Sequence, residues 1–213
     1  MKNAYYGVRV DVLELVPQRC KMLLDVGCGT GLTAAAMKEK TQGKVYGLEL
    51  FAEVAKQAEL RMDGVFVEDV SSFFDKTPTQ KYDCIVFADI LEHIVDPWKV
   101  LRQSREFLLP GGVVIISIPN IRFYTTFFHL LFRAEWPYHD RGIHDRTHLR
   151  FFTRKNVIQL VKSAGFLFEQ FRPYYLIADK KTVLNKRRRF VGIPGIRGFF
   201  TFQYHMVISP LHR

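Results

Sequence analysis

The stretch "LLDVGCGTG", residues 23–31, decides the fold. A short apolar run typical of a buried strand leads into three glycines at alternate positions, and the helix-forming segment "LTAAAMKEK" follows at once. Glycines permit a tight turn and let a ligand approach bare backbone, while the first turn of the next helix offers free N–H groups. The stretch therefore predicts a nucleotide-type binding loop between a strand and a helix.

Strand-like and helix-like segments alternate beyond this loop. The stretches "GKVYGLEL", "GVFVEDV", "KYDCIVFADI" and "GVVIISIP" have the composition of buried strands, and helical segments separate them. The last helical segment, "DPWKVLRQSREFLLPGG", is expected to be one helix that Pro110 and the two glycines stop. Parallel strands joined by helices form sheets covered on both faces. The pattern predicts a Rossmann-like α/β fold.

The rest of the chain adds one helix and two strands. "FTRKNVIQLVKSAGF" predicts a helix with Thr153 as N-cap and Gly165 just past its end. "FLFEQFRPYYLI" and "FTFQYHMVIS" predict two final strands. No repeat or linker divides the chain, so residues 1–213 are expected to form a single domain. An insertion that forms a lid and binds the second ligand of the site is expected around residues 120–152. A basic loop is expected around residues 179–198.

Composition limits the class of protein. The 213 residues are 48% apolar, enough for a full core. The three cysteines lack CxxC spacing, which is typical of neither a disulfide framework nor a zinc site and fits a reducing compartment. The N-terminus has no signal-peptide pattern, and no run of about 18 uncharged apolar residues occurs. A cytoplasmic location is expected.

Positive charge is concentrated near the end of the chain. Residues 1–150 hold 19 basic and 19 acidic residues, whereas residues 151–213 hold 12 basic and 2 acidic ones. Such asymmetry favours an acidic partner surface, either anionic lipid or nucleic acid, although a solvated basic face is the plainer interpretation. The mixed basic and apolar stretch "NKRRRFVGIPGIRGFF" favours peripheral contact with an anionic membrane.

Three carboxylates limit the kinds of ligand that the glycine loop can bind. The GxGxG spacing differs from the GxGxxG of dinucleotide-binding loops. Asp25 ends the first strand, where it would repel a pyrophosphate and attract a cationic ligand. Glu49 ends the second strand, where a carboxylate can accept both hydroxyls of a ribose. Asp69 ends the third strand and is expected to accept the adenine amino group.

Together, "LLDVGCGTG", "VYGLEL", "FVEDV" and "FADILEHIVDPWKVLRQSREFLLPGGVVIISIPN" resemble the successive motifs of class I S-adenosylmethionine-dependent methyltransferases. The resemblance covers about residues 20–170 and implies a seven-stranded, mostly parallel sheet whose last strand is antiparallel, with S-adenosylmethionine as cofactor. By position, it implies the following cofactor-binding residues: Asp25, Gly27, Cys28, Gly29, Gly31, Glu49, Leu50, Asp69, Val70, Ala88, Asp89 and Leu91.

Histidines are the candidate catalytic residues, because a hydroxyl or ammonium acceptor must lose a proton near neutral pH. His93 follows the fourth strand in "LEHI". The stretch "YHDRGIHDRTHLR", residues 138–150, follows the fifth strand and should lie over the mouth of the site. There His144 or His148 is expected to act as the base, with Asp145 as its orienting partner.

A metal site in this stretch is the alternative. His144 and His148 have the i, i+4 spacing that would suit ligands on a helix. Because a glycine and several arginines interrupt the stretch, we expect no metal ion there. The arginines, Arg141, Arg146 and Arg150, would either clamp an anionic acceptor or be solvated.

The acceptor is the open question. "HDRTHLRFFT" resembles a segment of methyltransferases that act on bacterial surface glycans and secondary metabolites. The leading hypothesis is methylation of a hydroxyl, with an amine as second choice, on a sugar, a lipid-linked glycan, another glycolipid or a secondary metabolite. The alternatives are an RNA methyltransferase and a non-catalytic S-adenosylmethionine-binding module. The aromatic run "FYTTFFHLLF" is expected to form a helix, either packed on the sheet or serving as an apolar wall of the lid.

Overall fold

The glycine-rich stretch lies at the centre of the sheet in the computed structural model, which describes residues 7–176 and 196–211. The sheet has seven strands in the order β3-β2-β1-β4-β5-β7-β6. The strands are β1 Met22–Val26, β2 Lys44–Glu49, β3 Gly64–Val67, β4 Tyr82–Ala88, β5 Leu108–Pro119, β6 Phe166–Tyr175 and β7 Thr201–Pro210.

Strands β1 to β5 pair in parallel, and β7 is antiparallel to both β5 and β6. The predicted Rossmann-like sheet with an antiparallel last strand is therefore confirmed. The described α-helices are α1 Val10–Leu13, α2 Leu32–Thr41, α3 Ala52–Glu59, α4 Val70–Phe74, α5 Pro97–Gln103, α6 Tyr124–Phe132, α7 Arg154–Ser163 and α8 Arg197–Phe200.

Two apolar cores cover the two faces of the sheet. Because side chains alternate along a strand, Leu24 and Val26 of β1 enter one core and Leu23 enters the other. Helices α4, α5 and α7 contribute to the first core, and α1, α2 and α3 contribute to the second. This two-sided burial explains why the central strands are continuous apolar runs.

One boundary differs from the prediction. The helix expected from Asp96 to the glycines ends at Gln103, a 3-10 turn follows over Ser104–Phe107, and β5 begins at Leu108. Phe107 and Leu108 are buried, so this segment packs into the core instead of continuing a helix. Pro110 therefore lies inside the first part of a strand.

The aromatic run "FYTTFFHLLF" forms α6, but that helix is not packed into the sheet. Thr126 is its buried residue, while Phe128, Leu131 and Phe132 are 47%, 72% and 77% exposed. The helix leaves a large apolar surface in contact with solvent, which distinguishes it from α7. No helix within residues 7–176 and 196–211 has the length and apolar character needed to cross a membrane.

Both predicted ends of α7 are confirmed. The Thr153 hydroxyl accepts from Asn156 N, and the Asn156 side chain accepts from Thr153 N at 3.3 Å, which is a capping box. Gly165 follows the last helical residues with a φ of +79°. This helix begins four residues after the segment of residues 138–150.

Replacement of Thr153 by alanine should lower the free energy of unfolding by about 1 kcal/mol, because it removes the N-cap oxygen. Thr153→Ser keeps the hydroxyl and serves as the matched control, with a loss below about half that value. Urea denaturation of the three proteins measures the difference. Equal losses in both variants would mean that the threonine methyl group, and not the cap, stabilises this helix end.

Candidate functional site

The glycine loop joins β1 to α2 and has a backbone that side chains would obstruct. Gly27 and Gly31 have φ values of +69° and +78°. A Cβ on Gly27 would lie 2.1 Å from Ile90 Cδ1, and a Cβ on Gly31 would lie 3.0 Å from the backbone of Ala58. Both positions therefore require glycine, and the loop passes close to the segment after β4.

Glu49, the last residue of β2, is tied to this loop. Its carboxylate is 5% exposed and accepts hydrogen bonds from Gly29 N at 3.0 Å and Phe51 N at 3.1 Å. A carboxylate has about four acceptor positions, so two backbone donors leave room for further donors. Leu50, the next residue, is 55% exposed.

Asp25, the last polar residue of β1, is 4% exposed. Burial raises the pKa of Asp25 to about 7, the negative charge of Glu49 adds to the increase, and the Arg9 cation opposes it. Burial likewise raises the pKa of the Cys28 thiol, with contributions from Asp25 and Glu49. The loop thus has two buried carboxyl groups beside it, which favours a cationic ligand.

Asp89, just after β4, is the centre of a polar network. It has a φ of +57°, and its carboxylate accepts from Arg9, from Gln203 and, at 2.9 Å, from the Ser117 hydroxyl. Arg9 also donates to both oxygens of Asp11, at 2.9 and 2.8 Å. The network joins β4, β5 and β7 to the segment before α1.

Sequence reasoning missed Arg9, Asp11, Ser117, Gln203 and His205. His205 Nε2 lies 3.0 Å from Asp11 Oδ2, so two residues from opposite ends of the chain meet at this site. Arg9 N also donates to the Thr33 hydroxyl at 3.1 Å, which holds the N-terminal segment against the start of α2. No local motif marks these residues, because the fold brings them together from distant segments.

The remaining residues predicted to bind the cofactor have mixed environments. Asp69 lies two residues beyond β3, is exposed, and caps α4 by accepting from Ser72 N at 3.0 Å. Val70 and Ala88 are half-buried. Leu91 is completely buried in the first core.

The structure brings His93 and His148 together, with Glu92 beside them. The two imidazole rings meet edge to face with centroids 4.7 Å apart, and His148 Nε2 lies 4.0 Å from Glu92 Oε1. Burial lowers the pKa of His148, as does the nearby His93. Burial also raises the pKa of Glu92 well above its usual range, and the negative charge of Asp89 adds to that increase.

His144 lies apart from this pair. The segment of residues 138–150 is not helical, so the i, i+4 spacing does not bring His144 and His148 to one face. His144 Nε2 lies 2.9 Å from the Thr126 hydroxyl, and Trp136 packs edge-on against its ring. Burial lowers the pKa of His144 to about 4, with His129 adding to the decrease, so the ring is neutral at pH 7.

Among the described residues, Asp145 makes no direct hydrogen bond to the imidazole of His144 or His148, and it reaches His93 through the Thr147 hydroxyl, which lies 3.0 Å from His93 Nδ1. Its Oδ1 accepts instead from the backbone N and the hydroxyl of Thr147, at 2.8 and 2.7 Å. Glu92, which the sequence did not suggest, also lies near His148, and the Asp145 charge acts on the same imidazole. Of the three arginines in the segment, Arg146 pairs with the exposed Asp140, and Arg150 donates to the backbone oxygen of Val95 at 2.6 Å.

Asp25 makes the stability of the ligand-free protein depend on pH. Because its pKa is raised in the folded state, the folded state binds more protons than the unfolded state between pH ~4 and ~7, so stability falls as pH rises across that window. Asp25→Asn should remove this loss, which is on the order of 2–4 kcal/mol.

Urea denaturation of the native protein and of Asp25→Asn at pH 5 and pH 8 measures the effect. The free energy of unfolding of Asp25→Asn minus that of the native protein should be larger at pH 8 than at pH 5. An unchanged difference between the two proteins at the two pH values would show that Asp25 ionises without cost in the folded state.

Comparison with known proteins agrees with this geometry. The family described as a methyltransferase domain matches residues 3–170. A ubiquinone biosynthesis O-methyltransferase of Psychrobacter arcticus is 29% identical over 155 residues, which are 68% of this chain and 59% of that protein. The corresponding enzyme of Serratia proteamaculans is 38% identical over 106 residues, 47% and 43% of the two chains. The chain thus spans about half of the length of these two relatives.

Solved structures share the fold. A SAM-dependent methyltransferase from Archaeoglobus fulgidus superposes with a TM-score of 0.65 at 14% identity, covering 96% of this chain and 95% of that one. A methyltransferase from Listeria monocytogenes, described as a putative S-adenosylmethionine-dependent enzyme, gives 0.67 at 14% identity, with 95% and 96% covered. The fold predicted from the sequence agrees with these findings. The chain belongs to the methyltransferase domain family.

Proposed function

We propose that this protein transfers the methyl group of S-adenosylmethionine to a hydroxyl group of a small or lipid-linked acceptor. The observation that carries the proposal is the buried Glu49 carboxylate bonded to Gly29 N of the glycine loop, in a chain of the methyltransferase domain family. The carboxyl ends of parallel strands are where α/β proteins bind ligands, and β1, β2 and β4 all end at this loop.

S-adenosylmethionine, the methyl donor, would lie across these strand ends. In the proposal, Glu49 accepts from the ribose hydroxyls through the lone pairs that Gly29 and Phe51 leave free. Asp25 faces the cationic methionine end, and Asp69 with Val70 frames the adenine. The backbone after β4, from Ala88 to Asp89, lies beside the methyl group.

The chemistry is an in-line displacement at carbon. The acceptor oxygen forms a bond to the methyl carbon, the carbon–sulfur bond breaks, and its electron pair stays on sulfur to give S-adenosylhomocysteine. The hydroxyl proton must leave, and a neutral imidazole of His93 or His148 can accept it, since burial lowers the pKa of His148. His144 is a weaker candidate because Thr126 and Trp136 enclose it.

A hydroxyl acceptor is favoured by the relatives, which are named for O-methylation in ubiquinone biosynthesis. Those names give no support to the glycan or secondary-metabolite class suggested by "HDRTHLRFFT", but a hydroxyl is common to both kinds of acceptor. The exposed apolar residues Phe128, Leu131 and Phe132 of α6 favour an acceptor with an apolar part. RNA is the weaker alternative, resting only on the basic C-terminal composition.

Titration with S-adenosylhomocysteine tests the donor site. Native protein should bind it, and Glu49→Ala should bind it at least about 10-fold more weakly, because a hydrogen bond to a charged group contributes roughly 1.5–3 kcal/mol. Glu53→Ala is the matched control, since Glu53 is exposed and pairs with Lys56 on the surface of α3. Equal affinity of native protein and Glu49→Ala would refute the assignment of Glu49.

The same titration and a turnover assay separate the alternatives. Release of S-adenosylhomocysteine in the presence of hydroxylated aromatic or sugar acceptors, with an O-methyl product by mass spectrometry, supports the proposal. Binding without turnover across both acceptor classes favours the non-catalytic module. An N-methyl product, or turnover that requires tRNA and falls steeply with salt, would replace the proposed acceptor.

We also propose that the protein contacts an anionic membrane surface. The exposed apolar side chains of α6 lie next to Arg133, a combination that suits the boundary between lipid headgroups and acyl chains. The basic stretch at residues 186–189 would add electrostatic attraction, although it lies outside the described residues.

The protein should co-sediment with phosphatidylglycerol-containing vesicles at low salt and dissociate at high salt. Neutral replacement of residues 186–189 should weaken this binding, since each basic residue near an anionic surface contributes about 1 kcal/mol. Phe132→Asp should weaken it as well. Vesicles of neutral lipid are the control, and equal sedimentation with both vesicle types would argue against an electrostatic component.

A further inference from the structure

We propose that Glu92, His93 and His148 form a binding site for a divalent metal ion of the zinc class. One carboxylate oxygen and two imidazole nitrogens from these residues all lie within 4.8 Å of one another. Two imidazoles and one carboxylate are a common set of protein ligands for first-row divalent ions. Small side-chain rotations would bring the three atoms to the shorter separations of ligands that share one ion.

Glu92 is the residue that most needs a partner. Its side chain is 1% exposed, and in the described part of the chain neither carboxylate oxygen has a hydrogen-bond partner on another residue. A buried carboxylate without a partner is costly, and buried charges in proteins are usually paired or bound to metal. The nearest basic nitrogen is that of His148, at 4.0 Å, which is too long for a hydrogen bond. One carboxylate oxygen of Glu92 lies within 4.8 Å of a ring nitrogen of each histidine.

Both imidazoles are oriented as metal ligands are. His148 Nδ1 lies 3.1 Å from the backbone oxygen of Ile143. His93 Nδ1 lies 3.0 Å from the Thr147 hydroxyl, which itself donates to Asp145, and 3.3 Å from the Thr147 backbone oxygen. A backbone carbonyl that accepts from Nδ1–H leaves the lone pair on Nε2, and this arrangement is typical of histidines that ligate metal. Each ring would therefore present Nε2 to the ion.

The backbone already holds the two segments together. Glu92 O accepts from Leu149 N at 2.9 Å and from Arg150 N at 3.0 Å. These bonds fix the segment that carries His148 against the turn that carries Glu92 and His93, 55 residues earlier. The ligands come from two segments whose relative position does not depend on the ion, so the site is largely preformed.

A metal ion at this site would assist the proposed methyl transfer. Three protein ligands leave a fourth coordination position open, where an acceptor oxygen can bind, and a divalent ion lowers the pKa of a bound hydroxyl. That role rests on the proposed methyl transfer to a hydroxyl, whereas binding of the ion does not. From the sequence we expected no metal ion and gave His144 with His148 only as an alternative pair, whereas this proposal uses Glu92, His93 and His148.

Metal binding by untagged, chelator-treated full-length protein tests the proposal. Titration with Zn²⁺ against a competing chromophoric chelator should give one strong site per chain, and Co²⁺ should give visible absorption bands of a low-coordinate site. His148→Ala and the isosteric Glu92→Gln should each weaken Zn²⁺ binding at least ~100-fold, more than the 10–100-fold typical of residues that only orient a ligand. His139→Ala, an exposed histidine of the same segment, should bind Zn²⁺ as the native protein does.

The outcomes separate this proposal from the proposed function. Absence of strong binding by folded native protein, or equal binding by Glu92→Gln and the native protein, overturns the metal site even if S-adenosylhomocysteine binds and methyl transfer proceeds. Strong Zn²⁺ binding that depends on Glu92 and His148 supports the site even if S-adenosylhomocysteine fails to bind. Circular dichroism of each variant verifies that loss of binding is not loss of fold.

Discussion

The hydrogen bond between Gly29 N and the Glu49 carboxylate is the contact on which the site depends. It ties the glycine loop to the end of β2, and a second bond from Gly27 N to Leu48 O, 2.7 Å long, holds the loop from the strand side. The positive φ of Gly27 and the absence of a side chain there let the loop lie against Ile90. Because the loop is anchored at two places, its N–H groups and the strand-end carboxyls keep fixed positions without a ligand.

Concentration of acidic groups is the second constraint. Asp25, Glu49, Asp89 and Glu92 all lie at or just after strand ends, and burial raises the pKa of Asp25 and Glu92. Arg9 offsets part of this charge through its ion pair with Asp89. A fold that gathers carboxyls at one edge loses stability as they ionise, and a cationic ligand at that edge would recover part of the loss. The same feature that costs stability therefore favours a sulfonium donor.

The sequence predicted the parts of the fold that have local signals. Apolar runs and glycines identified β1 to β5 and the binding loop, and the Thr153 and Gly165 signals marked the ends of α7. Arg9 could not be predicted, because its partner Asp89 lies 80 residues away and nothing local in the N-terminal segment indicates a role. The contact of His148 with His93 could not be predicted for a related reason, because the two residues lie 55 positions apart and no local pattern links them. The i, i+4 spacing of His144 and His148 is informative only on a helix, and residues 138–150 do not form one.

His148 cannot serve in both of the roles proposed for it at once. Its Nδ1 faces the backbone oxygen of Ile143, so a single lone pair, on Nε2, is available either to bind an ion or to accept the acceptor's proton. The same limit applies to His93, whose Nδ1 faces the Thr147 oxygen. In the metal-loaded protein the ion must therefore acidify the acceptor hydroxyl enough for its proton to pass to solvent. In the metal-free protein an imidazole would take that proton. Burial keeps the neighbouring Glu92 carboxyl protonated, so Glu92 would stabilise the imidazolium only after losing its own proton.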